Sequence, residues 1–185
     1  ILASLDVTGP FQVVVSDMTA FWAAGQYWEL TLYMDLWDDE IVGWGLTSKK
    51  GDPSGYYIGL AMFLEAKKEK YMGLETIFHT DHGSVYSSKG YNEILQPYDI
   101  TRTMSKPGTP TENGAMESIN GWLKTELFMD FLIKESDDVA KQVANYVKYF
   151  NEGRPMCCLG YLTPKQYRDA HLPEADGSKT AKTCL

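Results

Sequence analysis

Gln12-Val13-Val14-Val15-Ser16-Asp17 is the stretch from which the fold is read. Three consecutive valines pack well on a pleated, half-buried surface, so the run predicts a buried strand that closes on an acid. Further along, Tyr27 to Leu36 is rich in Leu, Tyr and Trp and predicts a second strand. Asp38-Asp39 supplies the turn and Ile41 to Leu46 a third strand, which Gly43 and Gly45 weaken. The three read as an antiparallel meander. Asp52-Pro53 then starts a helix, with Asp52 as cap and Pro53 at the first helical position. Tyr57, Leu60, Ala61 and Leu64 share its apolar face, Lys67, Lys68 and Lys70 gather at its end, and Gly73 closes it.

Glu75-Thr76-Ile77-Phe78-His79-Thr80-Asp81 predicts a strand that again ends on an aspartate. A helix over Ser88 to Leu95 and a strand over Asp99 to Met104 follow, then a Pro/Gly loop from Ser105 to Pro110. Thr109-Pro110-Thr111-Glu112 has the pattern of a capping box, and Met116, Ile119, Leu123 and Leu127 form an apolar helical stripe. A last long helix begins at Ser136-Asp137-Asp138, buries Val139, Val143, Tyr146, Val147 and Phe150, and stops at Gly153 before Pro155. The sum is one mixed α/β domain over residues 1–185.

Composition narrows the classes. With 44% hydrophobic and 23% charged residues in 185, the chain is globular rather than disordered or fibrous. No apolar run approaches the roughly 18 to 20 residues of a transmembrane helix, so no membrane association is expected. The N-terminus lacks a signal-peptide pattern and an initiator Met, so a truncated chain is expected. Cys157, Cys158 and Cys184 lack zinc-type spacing and fit a reduced, cytoplasmic setting, with Cys157-Cys158 packed under the last helix. Acidic residues outnumber basic ones, 25 to 17, for a net charge of -8. That balance argues against a generic nucleic-acid binder.

Two of the acids stand apart because each closes an apolar strand. If the strands of Asp17 and Asp81 lie side by side, their carboxylates meet and require a cation. Hard oxygen ligands suit Mg²⁺ or Mn²⁺. On the helix after the Pro/Gly loop, Glu117 and Lys124 point the same way two turns apart, which would place a glutamate near metal and a lysine near phosphate.

These residues carry a resemblance. His79-Thr80-Asp81-His82-Gly83-Ser84-Val85-Tyr86-Ser87-Ser88 resembles the second-aspartate segment of integrase-core transposases of bacterial insertion sequences, relatives of retroviral integrases. Asn113-Gly114-Ala115-Met116-Glu117-Ser118, continuing to Leu123-Lys124-Thr125-Glu126-Leu127, is similar to their glutamate helix, and 35 residues separate Asp81 from Glu117. Val15-Ser16-Asp17-Met18-Thr19 is similar to the first-aspartate strand, and Arg154 with Leu159-Gly160-Tyr161-Leu162-Thr163-Pro164 to the closing motif. The match covers residues 11–168 and leaves 169–185 as a tail. Two departures stand out: Pro155-Met156 follows Arg154 where the family has a histidine two residues on, and Glu112 replaces the aspartate before Asn113.

The resemblance implies a ribonuclease H-like fold, a mixed five-stranded sheet with flanking helices, in which Asp17, Asp81 and Glu117 bind two divalent ions, Mg²⁺ or Mn²⁺. It further implies DNA strand cleavage and transfer at element ends, with Lys124 on DNA and a dimer or higher multimer in the active complex. Arg102, Lys106, Asn113 and Asn120 join Lys124 as candidate DNA contacts, with Lys49 and Lys50 behind them. His79 and His82 flank Asp81 and would support the metal site or touch DNA. Asp35, Asp38 and Asp39 rival Asp17 as first acid, with poorer motif context. A nuclease without strand transfer and a retired binding or assembly module are the alternatives. The net charge leads to the further expectation that the chain alone binds DNA weakly, end recognition residing in an N-terminal region absent from it.

Overall fold

A strand of eleven residues, β1 (Val13–Ala23), organises the sheet. Its sequence expectation ended at Asp17, but Met18 to Ala23 continue the strand and pair with β2 (Gln26–Asp35). The hairpin turns at Ala24 and Gly25, both with positive φ (51° and 69°), the two-residue turn whose twist suits adjacent antiparallel strands. Ala24 is an unusual residue for that conformation, and so the turn is hard to see in sequence. The computed structural model describes residues 5–105 and 114–172.

β3 (Ile41–Thr47) pairs antiparallel with β2, whereas β4 (Thr76–Thr80) and β5 (Ile100–Met104) continue the sheet in parallel on the other side of β1. The strand order is β3-β2-β1-β4-β5. The helices are α1 (Ser54–Lys70), α2 (Lys89–Leu95), α3 (Gly114–Met129), α4 (Val139–Glu152) and α5 (Pro164–His171). Each sheet face has its own core. Val14, Tyr33 and Phe78 pack with Leu60, Phe63 and Leu64 of α1 and with Tyr91 and Leu95 of α2. Val15, Leu32 and Met34 pack with Leu123 and Leu127 of α3, Val143 and Tyr146 of α4, and Tyr167 of α5.

The glycines of β3 have a packing reason. A Cβ at Gly45 would lie 1.9 Å from the Gly55 carbonyl oxygen, and one at Gly43 would lie 2.3 Å from that of Gly59. α1 therefore sits almost backbone to backbone on β3, and strand propensity yields to this close approach. On α1 itself, Phe63 rather than Ala61 takes the core position, and Ala61 is exposed. Pro53 rather than Asp52 holds the N-cap position, and Asp52, two residues before the first helical residue, still accepts from the Ser54 amide through Oδ1 at 2.9 Å. Lys67 is buried and donates to the Leu74 carbonyl, tying down the chain after α1.

α4 buries the five residues expected of it, and Asp138 caps it through the Lys141 amide at 2.9 Å. The expected capping box at Thr109–Glu112 and the tail beyond residue 172 lie outside the described residues. Cys157 and Cys158 are exposed rather than packed, because the short turn they begin directs Leu159 inward instead.

α5 was not singled out in the sequence, although Thr163-Pro164-Lys165-Gln166 forms a full capping box. This helix delivers Arg168 to a buried acidic corner. Its guanidinium bonds Asp35 at 2.9 Å, Asp38 at 3.0 Å and Glu40 at 2.8 Å, and it lies over the Phe11 ring. Asp35 also accepts from the amides of Phe11 (2.8 Å) and Trp37 (3.1 Å). These bonds anchor the N-terminal segment, the β2–β3 turn and α5 to one another.

Two outcomes are expected. Gly45→Ala forces β3 away from α1 and lowers stability by about 2 kcal/mol, measured by chemical unfolding. Burial, and then the neighbouring Asp38 charge, raise the Asp35 carboxyl to about 7. The folded chain then holds a proton that the unfolded chain releases near the ordinary value of 3.8, so this group's stabilisation declines as pH rises from about 4 to about 7. Asp38→Asn removes the like charge and should flatten the decline in melting temperature across that window; an unchanged slope assigns the pH dependence elsewhere.

Candidate active site

Alternate residues of a strand share a face, and this decides where the two singled-out aspartates stand. Asp17 lies two residues beyond Val15 and opposite Leu32 of β2. Asp81 lies two residues beyond His79, which is in parallel register with Val15. By strand alternation both positions thus fall on the side of the sheet covered by α3, Asp81 just past the end of β4. Asp17 occurs in mid-strand rather than at a strand end, and is half-buried. Asp81 is exposed on the first residue past β4, and its Oδ1 accepts the Gly83 amide at 2.8 Å. A Cβ at Gly83 would approach that oxygen to 2.9 Å, so glycine gives the carboxylate room.

α3 closes over Asp17 through Asn120, whose Nδ2 donates to Asp17 Oδ2 at 2.8 Å. Asn120 Oδ1 is buried and has no hydrogen-bond partner among the described residues. The Glu117 backbone lies one helical turn earlier on the same side of α3. Its side chain lies outside the described residues. Lys124, one turn beyond Asn120, is half-buried, while Leu123 and Leu127 fix the helix in the core. Among the described residues no group of three metal-ligating side chains is assembled.

The opposite face carries a tyrosine layer that the sequence reading did not connect to the site. Tyr86 Oη and Ser16 Oγ are hydrogen-bonded at 2.8 Å, directly beside Asp17. Tyr33 Oη bonds the Tyr56 carbonyl at 2.8 Å and Tyr91 Oη at 2.7 Å. Burial, and then the charges of Asp81, Glu29 and Asp17, push the Tyr56 hydroxyl up to about 12. Both aspartates are therefore felt at one side chain. Burial likewise holds the Tyr86 and Tyr91 hydroxyls well above their ordinary value. All of these tyrosines stay neutral near pH 7 and serve as hydrogen-bonding partners.

The remaining candidates separate by environment. His79 is buried, with Nδ1 2.9 Å from Thr103 Oγ1 and Nε2 2.9 Å from Ser105 Oγ. It joins β4 to the chain leaving β5. His82 is exposed beside Asp81. Arg102, expected among the DNA contacts, is turned inward against Thr80, Tyr86 and Asn92. Its place in the β5 register, opposite Phe78, aims it at the core on the α1 side. Lys49 and Lys50 are exposed at the turn after β3, and Lys106 and Asn113 lie outside the described residues. Asp35 and Asp38 are occupied by Arg168, and Asp39 accepts from Cys158 Sγ at 3.3 Å. In the closing segment, Arg154 reaches Glu126 of α3 at 2.7 Å, and Tyr146 Oη of α4 donates to the same carboxylate at 2.9 Å.

Strand order and the two-faced core define a ribonuclease H-like fold of the integrase type. Comparison with known proteins bears this out: an integrase core domain profile matches residues 7–110, a second matches residues 98–164, and the chain belongs to the integrase core domain family. The transposase for insertion sequence element IS904 of Lactococcus lactis is 30% identical over 161 residues, 86% of this chain. The chain spans 62% of that relative's length. Among solved structures, the HTLV-2 integrase catalytic core domain in complex with magnesium, in trimeric form, superposes with a TM-score of 0.66 at 18% identity, covering 86% of this chain and 97% of that one. A chain of the simian T-cell lymphotropic virus intasome in complex with PP2A regulatory subunit B56γ gives 0.72 at 20% identity, covering 98% of this chain and 61% of that one. No described helix is long and apolar enough to cross a membrane.

Proposed function

We propose that this chain is the catalytic core of an insertion-sequence transposase, a polynucleotidyl transferase that cuts DNA at element ends and joins the ends to a target. The observation that carries this reading is the parallel register of β1 and β4. It sets Asp17 and Asp81 on one face, where Asn120 of the covering helix is bonded to Asp17. The IS904 transposase relationship supplies the reaction class.

Asp17, Asp81 and Glu117 would hold Mg²⁺ or Mn²⁺. The donor set fits: carboxylate oxygens are hard ligands, and the two aspartates repel until a cation joins them. The buried Asn120 Oδ1, on the side chain bonded to Asp17 and without a hydrogen-bond partner among the described residues, is a further oxygen nearby. Bound there, such ions would supply activation of an attacking water or 3′-hydroxyl and stabilisation of the leaving oxygen in displacement at phosphorus. The protein's own groups orient and hold. Asn120 fixes one Asp17 oxygen, the Gly83 amide fixes one Asp81 oxygen, and Lys124 holds a DNA phosphate along α3. Lys106 and Asn113 would join it from the segment before α3, with His82 near Asp81.

With a net charge of -8, affinity for DNA rests on these local cations and on assembly of two or more copies at paired ends. The related HTLV-2 core was solved as a trimer with magnesium, and the related simian virus chain in an intasome.

The test is cleavage and joining of a labelled duplex carrying the terminal inverted repeat that flanks the coding sequence. The purified protein should form both products with Mg²⁺ or Mn²⁺ and neither with EDTA. Asp81→Asn and Glu117→Gln should each lower the rate by about 100-fold or more at unchanged melting temperature. Undiminished cleavage in both variants overturns the assignment; cleavage without joining reduces it to a nuclease.

A further inference from the structure

We infer that Arg102 is a positioning residue for the catalytic aspartates, acting from behind the sheet rather than on DNA. This rests on the function proposed above. Arg102 is on β5, opposite Phe78 of β4, so its side chain enters the face away from Asp17 and Asp81. Its guanidinium lies 5.6 Å from the centroids of both the Phe78 and Tyr91 rings. Side-chain entropy is given up to hold it there, and its hydrogen bonds show to what end.

One arm goes to Asp81. Arg102 Nη2 donates to Thr80 Oγ1 at 2.9 Å, and Thr80 Oγ1 donates to the Asp81 carbonyl at 2.9 Å. The residue that bears the exposed carboxylate is thereby fixed at its own backbone, one step past the last strand bond. The other arm goes towards Asp17. Arg102 Nη1 donates to the Tyr86 carbonyl at 2.5 Å and to Asn92 Oδ1 at 2.8 Å. Asn92 Nδ2 in turn donates to the Tyr86 carbonyl at 3.1 Å and the Ser88 carbonyl at 2.7 Å. Tyr86 is thus clamped, and its hydroxyl meets Ser16 Oγ, the neighbour of Asp17, at 2.8 Å.

One planar cation therefore ties the segment after β4 back to the strand that carries Asp17. The requirement is geometric: metal-dependent phosphoryl chemistry tolerates little error in ligand placement, and a misplacement near 1 Å costs about 100-fold. A guanidinium suits the task because its fixed fork serves a hydroxyl, a carbonyl and an amide oxygen together, which an ammonium cannot do in one orientation.

The experiment compares Arg102→Met, Arg102→Lys and Thr80→Val with wild type in the joining assay, varying DNA and Mg²⁺ separately, with melting temperatures recorded. Thr80→Val is close to isosteric and cuts the Asp81 arm alone, so it decides the matter should Arg102→Met fail to fold. The expected result is a kcat about 10-fold lower in all three variants, a KM for DNA within twofold of wild type, a higher Mg²⁺ concentration for half-maximal rate, and no rescue by lysine. A raised KM that lysine restores would make Arg102 a phosphate contact and overturn the inference, as would wild-type kcat in folded Thr80→Val. Failure of the underlying triad shows separately, as wild-type cleavage by Asp81→Asn.

Discussion

The parallel register of β1 and β4 is the constraint on which the rest of this molecule depends. The register that places Val15 beside His79 directs Asp17 and Asp81 to the same side of the sheet, and the proposed cation site requires a rigid frame around them. β1 supplies that frame by pairing on both edges, antiparallel with β2 along most of its length and parallel with β4 only over Val13 to Val15. Because β4 stops at Thr80, the second half of β1 is left to α3, which reaches Asp17 through Asn120. The early end of one strand is what makes room for the site.

The two faces divide the labour. On one, α3, α4 and α5 build the core that fixes the helix bearing Glu117 and Lys124, with Glu126 held by Arg154 and Tyr146. On the other, tyrosines and Arg102 brace the acids from behind. Far from the site, Arg168 closes a buried acidic corner and seats α5 against the β2–β3 turn. That corner explains three aspartates that the sequence offers as rival catalytic residues: Asp35 and Asp38 are structural groups held by Arg168, and Asp39 occupies a positive-φ turn position.

Much of this was legible in sequence because local chemistry dictates it. Val13 to Val15, the Asp52-Pro53 helix start, the helix over Ser88 to Leu95 and the stripe of Val139, Val143, Tyr146, Val147 and Phe150 are all local signals, and each element formed, with α1 beginning one residue later than read. The second half of β1 escaped notice because its hairpin turns on Ala24-Gly25, without the Asn or Asp that usually marks such a turn. α5 carried a readable capping box at Thr163–Gln166 that went unused. The partners of Arg168 could not be read, since they lie 130 and 133 residues away. Arg102 shows the same limit: spacing offers a basic residue near a proposed site, but only the strand register says which face it enters.

Under the proposed function Asp17, Asp81 and Glu117 would share divalent cations. Anomalous diffraction from crystals of the protein soaked in Mn²⁺ tests it most directly. A manganese peak is expected at the Asp17 and Asp81 carboxylates, with a second peak within reach of Glu117 when DNA is bound. Manganese bound only elsewhere, with the two carboxylates apart and unligated, would contradict it.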